Sequence, residues 1–407
     1  MAKNDPVRDH LRSGTEAVDG LRGVAILLVV FYHSWLFSWF TPELTLFGVA
    51  VPVDVLPRNG YLGVDLFFTI SGFVLFFPLA SGVRSGGRIA STREFAFRRF
   101  LKIVPSYALA LVATFVFSIE YIGPSDLWHN LATHAFFVQN FWSDGFGRAN
   151  SVFWSLAVEV QFYLIFPLLA QAFRRMPYAT AVAMIATSLV YRFEAARCCL
   201  GVETVSRQLP GYLDLFATGM LAAHLVVTIR SERPELARRA WLFTLGAALC
   251  AAAAFALFES ANAVQYAPLG AARWDVANRT LIALAAGGLV LFSCFAARPW
   301  RALLANPVLV FLSLVSYNVY LWHTLLMIWM WKHDVPRAAT ANPHDDEHWK
   351  LLYIALGWTI TLAVSTAITY FIERPLLGLV ARQPFAFDWK RAALRRVPPA
   401  ARSETGT

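Results

Sequence analysis

Charge is scarce in this sequence: Asp, Glu, Lys and Arg together make up 15% of its 407 residues, against 57% apolar residues. A water-soluble domain usually carries about 25% charged residues, and with a mean hydropathy of +0.52 most of this surface cannot face water. Cysteine is nearly as scarce. Cys198, Cys199, Cys250 and Cys294 show no metal-ligand spacing, and two of them lie inside apolar runs, where they read as small hydrophobes. No internal repeat and no second hydrophilic domain interrupt the chain. The first apolar run has no small-residue cleavage site after it, so a retained helix is expected rather than a signal peptide.

What the chain has instead is a series of apolar runs, each near the roughly 20 residues a spanning helix needs. Spans are expected near 23–40, 61–80, 103–120, 152–172, 177–193, 209–229, 240–258, 279–297, 307–331 and 351–373. The fold class is therefore all-α, a polytopic bundle of about ten transmembrane helices. The segments on one side hold 25 of the 35 Lys and Arg, which by the positive-inside rule places both termini in the cytoplasm. The same bias explains the net charge of +9 without nucleic acid. Residues 1–15 are expected as a cytoplasmic tail, 16–376 as the transmembrane domain and 377–407 as a basic tail. Oligomeric state is not legible.

Ionisable residues inside a span cost about 2.5 to 3.5 kcal/mol each, so they are candidates for function. In LRGVAILLVVFYH, Arg22 and His33 are eleven residues apart. On a helix they fall within roughly 20° of one face and about 16 Å apart along the axis. A neutral buried imidazole can accept a proton from a hydroxyl, as a general base must; the alternative is a core hydrogen bond with Arg22 as an interfacial anchor.

Three other runs carry polar groups. GYLGVDLFFTISGFVLF holds Asp65 and Ser71; Asp65 could orient His33, pair with a buried arginine, or be a helix-entry acid. In FWSLAVEVQFYLIFP, Ser155, Glu159 and Tyr163 recur every four residues on one face. Glu159 could accept a proton, hold the His33 tautomer, or salt-bridge Arg22 or Arg207. In SYNVYLWH, Ser316, Tyr320 and His323 share a face, as substrate contacts or as a polar seam.

Arg93, Arg98, Arg99 and Lys102 form a basic cluster just before the third span, suited to a nucleotide's phosphates or to anionic lipid. The loop from Glu120 to Ser151 is aromatic and could lie in the bilayer interface. The loop from Lys332 to Lys350 carries histidines and acids without ordered ligand spacing, so it is read as solvated and no metal is expected.

Taken together these motifs resemble the acyltransferase 3 family of membrane-bound acyltransferases, over about residues 16 to 376. The resemblance rests on the Arg22–His33 spacing, GVDLFFTISGF, RRFLKIVP, WSLAVEVQFY, SYNVYLWH and the ERP at Glu373 to Pro375, in that order. It implies a ten-helix bundle that takes an acyl group, commonly acetyl, from acyl-coenzyme A on the cytoplasmic side. The group goes to a hydroxyl of a sugar, glycan, peptidoglycan, lipid-linked or macrolide-type acceptor. Acyl-coenzyme A would be a co-substrate, with no tightly bound cofactor.

His33 would be catalytic, with Glu159 and Asp65 as further catalytic candidates. Arg22, Arg98, Arg99, Lys102, Ser71, Ser155, Tyr163, Tyr320 and His323 would contact donor or substrate. Direct attack by the acceptor and an acyl-histidine intermediate both remain open. A chain with only a short tail resembles the stand-alone type, without an appended esterase-like domain, in a bacterial cell membrane. The rival reading is a transporter or flippase, since buried charge also marks solute pathways; a scaffold without chemistry leaves the buried histidines unexplained.

Overall fold

The computed structural model describes residues 15–42, 44–46, 49–51, 53–85, 91–118, 124–142, 150–199, 203–264 and 266–381. The tail expected over 1–15 lies outside the described residues except for Thr15, and the tail over 377–407 lies outside them beyond 381. The architecture is all-α apart from a short antiparallel ribbon, Leu44–Leu46 with Val49–Val51, after the first helix.

In chain order the long helices are α1 (Glu16–Ser38), α2 (Gly63–Ser85), α3 (Thr92–Ser118), α4 (Pro124–Ala135), α5 (Phe153–Arg175) and α6 (Pro177–Cys199). They continue with α7 (Leu213–Glu232), α8 (Ala240–Val264), α9 (Gly270–Ser293), α10 (Pro307–Lys332) and α11 (Glu347–Ile368). Among the described residues nine of these are long and apolar enough to cross a membrane, which makes this a multi-pass membrane protein.

The span expected at 177–193 falls on α6, a helix of 23 residues that is not among the nine. Its length would suffice, but Arg192, Glu194 and Arg197 in its last turns lower its hydropathy. The amphipathic α4 leaves Trp128 and the following Phe136 exposed, the pattern of a helix lying in a bilayer interface.

Two boundary differences matter for function. α3 starts at Thr92, so the basic residues 93–102 form its first turns rather than a loop before it. α9 starts at Gly270, which draws Arg279 from the expected helix edge into the buried middle.

In lipid, helices associate through close packing and polar contacts rather than through expulsion of water. The tightest crossing joins α2 to α7, where a Cβ on Gly72 would collide with the Phe216 carbonyl and one on Gly219 with the Thr69 carbonyl. Gly23 likewise lets α1 lie directly on the backbone of α10 at Leu309. α1 and α10 run in the same direction, and this contact sets the register of the polar residues they carry.

The loop after α10 is largely exposed, and ring contacts hold part of it against neighbouring helices. His344 meets Trp39 edge-on at a ring separation of 4.2 Å and lies nearly parallel to Trp349 at 6.1 Å. Asp346 caps α11, and the backbone amides of Trp349 and Ala339 hold its carboxyl below the usual carboxylate range.

Candidate active site

The site is built along the seam between α1 and α10. At one end, Arg22 Nε donates to Ser316 Oγ at 3.0 Å. At the other, His33 Nδ1 and His323 Nε2 lie 3.1 Å apart, with ring centroids 4.7 Å apart and planes at 72°. The two ends are eleven residues apart on α1 and seven on α10, the long arginine side chain taking up the difference. His323 is 0% exposed and His33 9%. Each imidazole also meets its own helix: His33 Nδ1 is 2.9 Å from the Val29 carbonyl, and His323 Nδ1 is 3.0 and 2.9 Å from those of Val319 and Tyr320.

Between these ends lies a partly open cavity. Its polar wall is Arg22, Ser71, Ser155, Glu159, Ser316 and Tyr320, and its apolar wall includes Phe67, Phe68 and Leu156. His33 is not part of that lining. The histidine pair sits past Tyr320, whose ring centroid is 5.9 Å from that of His323. Glu159 Oε1 accepts hydrogen bonds from Ser71 Oγ at 2.7 Å and from Tyr163. The Ser155 and Tyr320 hydroxyls are 2.5 Å apart, each also within 3.1 Å of the Val152 carbonyl.

The α3 cluster splits. Arg98 is bound to Glu94 at 2.6 Å, and Lys102 is paired with Glu373. Glu373 also accepts from Asn318 at 2.9 Å, and Asn318 donates to Thr369 at 2.8 Å. A π-helical turn over Thr369–Glu373 lets both side chains reach Asn318, which gives the ERP motif a structural role. Arg99 instead lies over the rings of Tyr163 and Phe95 at 5.5 and 5.7 Å, beside the Glu159 end of the cavity.

Two alternatives left open by the sequence are closed, and Asp65 takes the reading that paired it with a buried arginine. Asp65 does not reach His33; its Oδ1 is 3.2 Å from Arg279, which also meets Asp275 at 3.0 Å and lies over Tyr212. A buried carboxylate takes the nearest cation, and α9 supplies one. Glu159 does not hold the His33 tautomer either, since it is occupied by two hydroxyls while both His33 contacts come from Val29 and His323.

Sequence reasoning passes over four structural partners. Arg192 binds Asp214 at 2.7 Å and the Gly211 carbonyl at 2.6 Å, next to Thr280 on α9. Asp214 carries the same signal as Asp65, an acid inside an apolar run, whereas Arg192 and Arg279 fall at the expected span edges. Asn150 accepts from Thr324 at 2.7 Å and donates to the Leu321 carbonyl at 3.3 Å, fixing the turn that carries His323. It lies outside every apolar run, and no local signal marks it.

With this geometry in view, comparison with known proteins places the chain. The sequence pattern of the acyltransferase domain family matches residues 15–374. The chain belongs to that family. The peptidoglycan O-acetyltransferase OatA of Listeria monocytogenes is 29% identical over 172 residues, 39% of this chain and 24% of that protein. The putative peptidoglycan O-acetyltransferase YrhL of Bacillus subtilis is 24% identical over 390 residues, 88% of this chain and 54% of its own. A putative acetyltransferase, ORF330 of Acidianus two-tailed virus, is 24% identical over 75% of this chain and 81% of its own. The chain thus spans about half or less of the first two relatives. No solved structure matches it.

Proposed function

We propose that this family member is a membrane O-acyltransferase that moves an acyl group, acetyl foremost, from acyl-coenzyme A to a hydroxyl of a carbohydrate acceptor such as peptidoglycan. The observation that carries this reading is the cavity itself, which runs from Arg22 to Tyr320 and has the histidine pair beyond its inner end. With both termini cytoplasmic, as the charge bias supports, Arg22 and Arg99 face the donor pool and His33 lies deeper.

In this reading the donor's phosphates rest near Arg99 and Arg22, because guanidinium groups bind phosphate through paired hydrogen bonds. The pantetheine arm enters the cavity along Phe67, Phe68 and Leu156, and its amides find partners among Ser71, Ser155 and Ser316. The thioester carbonyl then stops at Tyr320. The acceptor hydroxyl approaches from the other end, His33 takes its proton, and the oxygen attacks the carbonyl carbon. The new C–O bond forms as the C–S bond breaks, and the proton returns from His33 to the leaving thiolate. Reactants held in this orientation avoid much of the entropic cost of a bimolecular step.

The test uses purified full-length protein, labelled acetyl-coenzyme A and soluble peptidoglycan fragments. Label is expected in the glycan with the wild type and to fall by about 100-fold or more with His33→Ala, within the range that general acid–base catalysis supplies. Transfer by His33→Ala at the wild-type rate overturns the assignment. Release of labelled solute from vesicles without thiol formation returns the protein to the transporter class.

A further inference from the structure

The hydrogen-bond partners of the two buried histidines determine where their protons lie. His323 Nδ1 is within 3.0 Å of two backbone carbonyls, Val319 and Tyr320, and a carbonyl oxygen can only accept. That nitrogen therefore carries the proton. In a neutral imidazole the other nitrogen, Nε2, is then a bare lone pair, and here it points at His33 Nδ1, 3.1 Å away. His33 Nδ1 faces the Val29 carbonyl at 2.9 Å, so the same rule makes it a donor. The pair meets donor to acceptor, and His33 Nε2 is left as the free lone pair.

We infer that His323 is the positioning residue for His33: it accepts the Nδ1–H of His33, fixes that ring's tautomer and orientation, and shares its proton during transfer. The inference rests on the reading of His33 as the base. It moves His323 from the group of substrate contacts, where the sequence places it, to a role one ring behind the reacting atoms.

The Val29 carbonyl cannot do all of this. It can hold the Nδ1 proton but cannot take it up, whereas the Nε2 lone pair of His323 can. When His33 Nε2 takes the proton of the acceptor hydroxyl, the ring becomes an imidazolium. Its Nδ1–H then shifts toward His323 Nε2, so the positive charge spreads over two rings. After the C–S bond breaks, the thiolate takes the proton from His33 Nε2 and both rings return to their neutral tautomers.

Elsewhere a buried carboxylate often plays this part behind a catalytic histidine. Among the described residues neither imidazole has a carboxylate partner, so the neutral His323 stands in that place without adding a formal charge to the bundle core. Its own register is held from two directions. Asn150 clamps the adjacent turn through Leu321 and Thr324, and two carbonyls hold the ring itself.

Two substitutions separate this role from packing. His323→Phe keeps a ring of similar volume and removes the lone pair, while His323→Gln places an amide oxygen near the position of Nε2. With acetyl-coenzyme A and soluble peptidoglycan fragments, His323→Phe is expected to lower kcat by about 100-fold with donor KM within about twofold, and His323→Gln to regain about tenfold of that loss. Wild-type kcat in His323→Phe, or equal loss in both variants with equal loss of melting temperature, overturns the proposal.

A second measurement does not depend on turnover: ¹⁵N-histidine spectra of the wild type in micelles are expected to show His33 protonated at Nδ1. A His33 protonated at Nε2 overturns the proposal even if no variant folds. If His33→Ala still transfers label, the base reading has failed. If His33→Ala is inactive and His323→Phe is not, only this inference has failed.

Discussion

Buried polarity takes two forms in this molecule. Around α2, α6, α7 and α9, Asp65, Arg279, Asp275, Arg192 and Asp214 form direct ion pairs with a cation shared between acids. Along α1, α2, α5 and α10, the groups are imidazoles, hydroxyls, one carboxylate bound by hydroxyls and the Arg22 guanidinium bound to a serine, arranged around or just beyond a cavity. By insertion cost the two regions look alike in a sequence. The difference is what is left over. The ion-pair network turns its charges on one another, Arg279 between Asp65 and Asp275 and Arg192 on Asp214, while the seam sets imidazoles and hydroxyls beside a cavity.

Three experiments can break or sharpen this comparison. The largest effect is expected from Arg279→Leu, which leaves Asp65 and Asp275 without their shared cation; removal of one partner of a buried pair costs about 3–5 kcal/mol. Loss of folded protein in membranes, or a large drop in melting temperature in detergent, is the expected readout, with partial recovery when Asp65→Asn is added. An Arg279→Leu protein that folds normally but cannot transfer acyl groups would move Asp65 back into the active site.

A smaller effect is expected from Glu159→Gln. Hydrogen bonds to a charged group contribute about 1.5–3 kcal/mol, and Glu159 accepts two of them at the cavity wall. Steady-state kinetics should show kcat/KM reduced about 10- to 100-fold with little change in melting temperature. A fall in melting temperature with unchanged kinetics would place Glu159 with the structural pairs.

The smallest effect distinguishes neighbours on α3. Arg99→Gln is expected to raise the donor KM about fivefold, as loss of about 1 kcal/mol of partly exposed charge contact would. Arg98→Gln, whose guanidinium already serves Glu94, should leave it within about twofold. Equal changes in both would restore the cluster to a single phosphate-binding patch.

Much of this was legible in the sequence because it is written in local periodicity. Arg22 and His33 do lie on one helix, and Ser316, Tyr320 and His323 do share a face of another. Ser71, Ser155, Glu159 and Tyr320 do converge on one cavity with Arg22. The pairings were not legible. Asp65 had several possible partners, and the choice of Arg279 depends on α9 beginning at Gly270 and packing against α2. The role of Asn150 depends on contact with residues more than 170 positions away. No window of local sequence contains that information.

The sequence by itself determined the solvent, the number of long helices to within one and the residues whose burial needs a reason, since each follows from hydropathy and a helical repeat read along the chain. Only the tertiary structure decided which buried groups cancel one another and which remain available. That choice depends on helix register across the bundle, where a shift of one residue turns a side chain by about 100°. The glycine contact of α1 with α10 sets one such register, bringing two histidines 290 positions apart to a 3.1 Å contact.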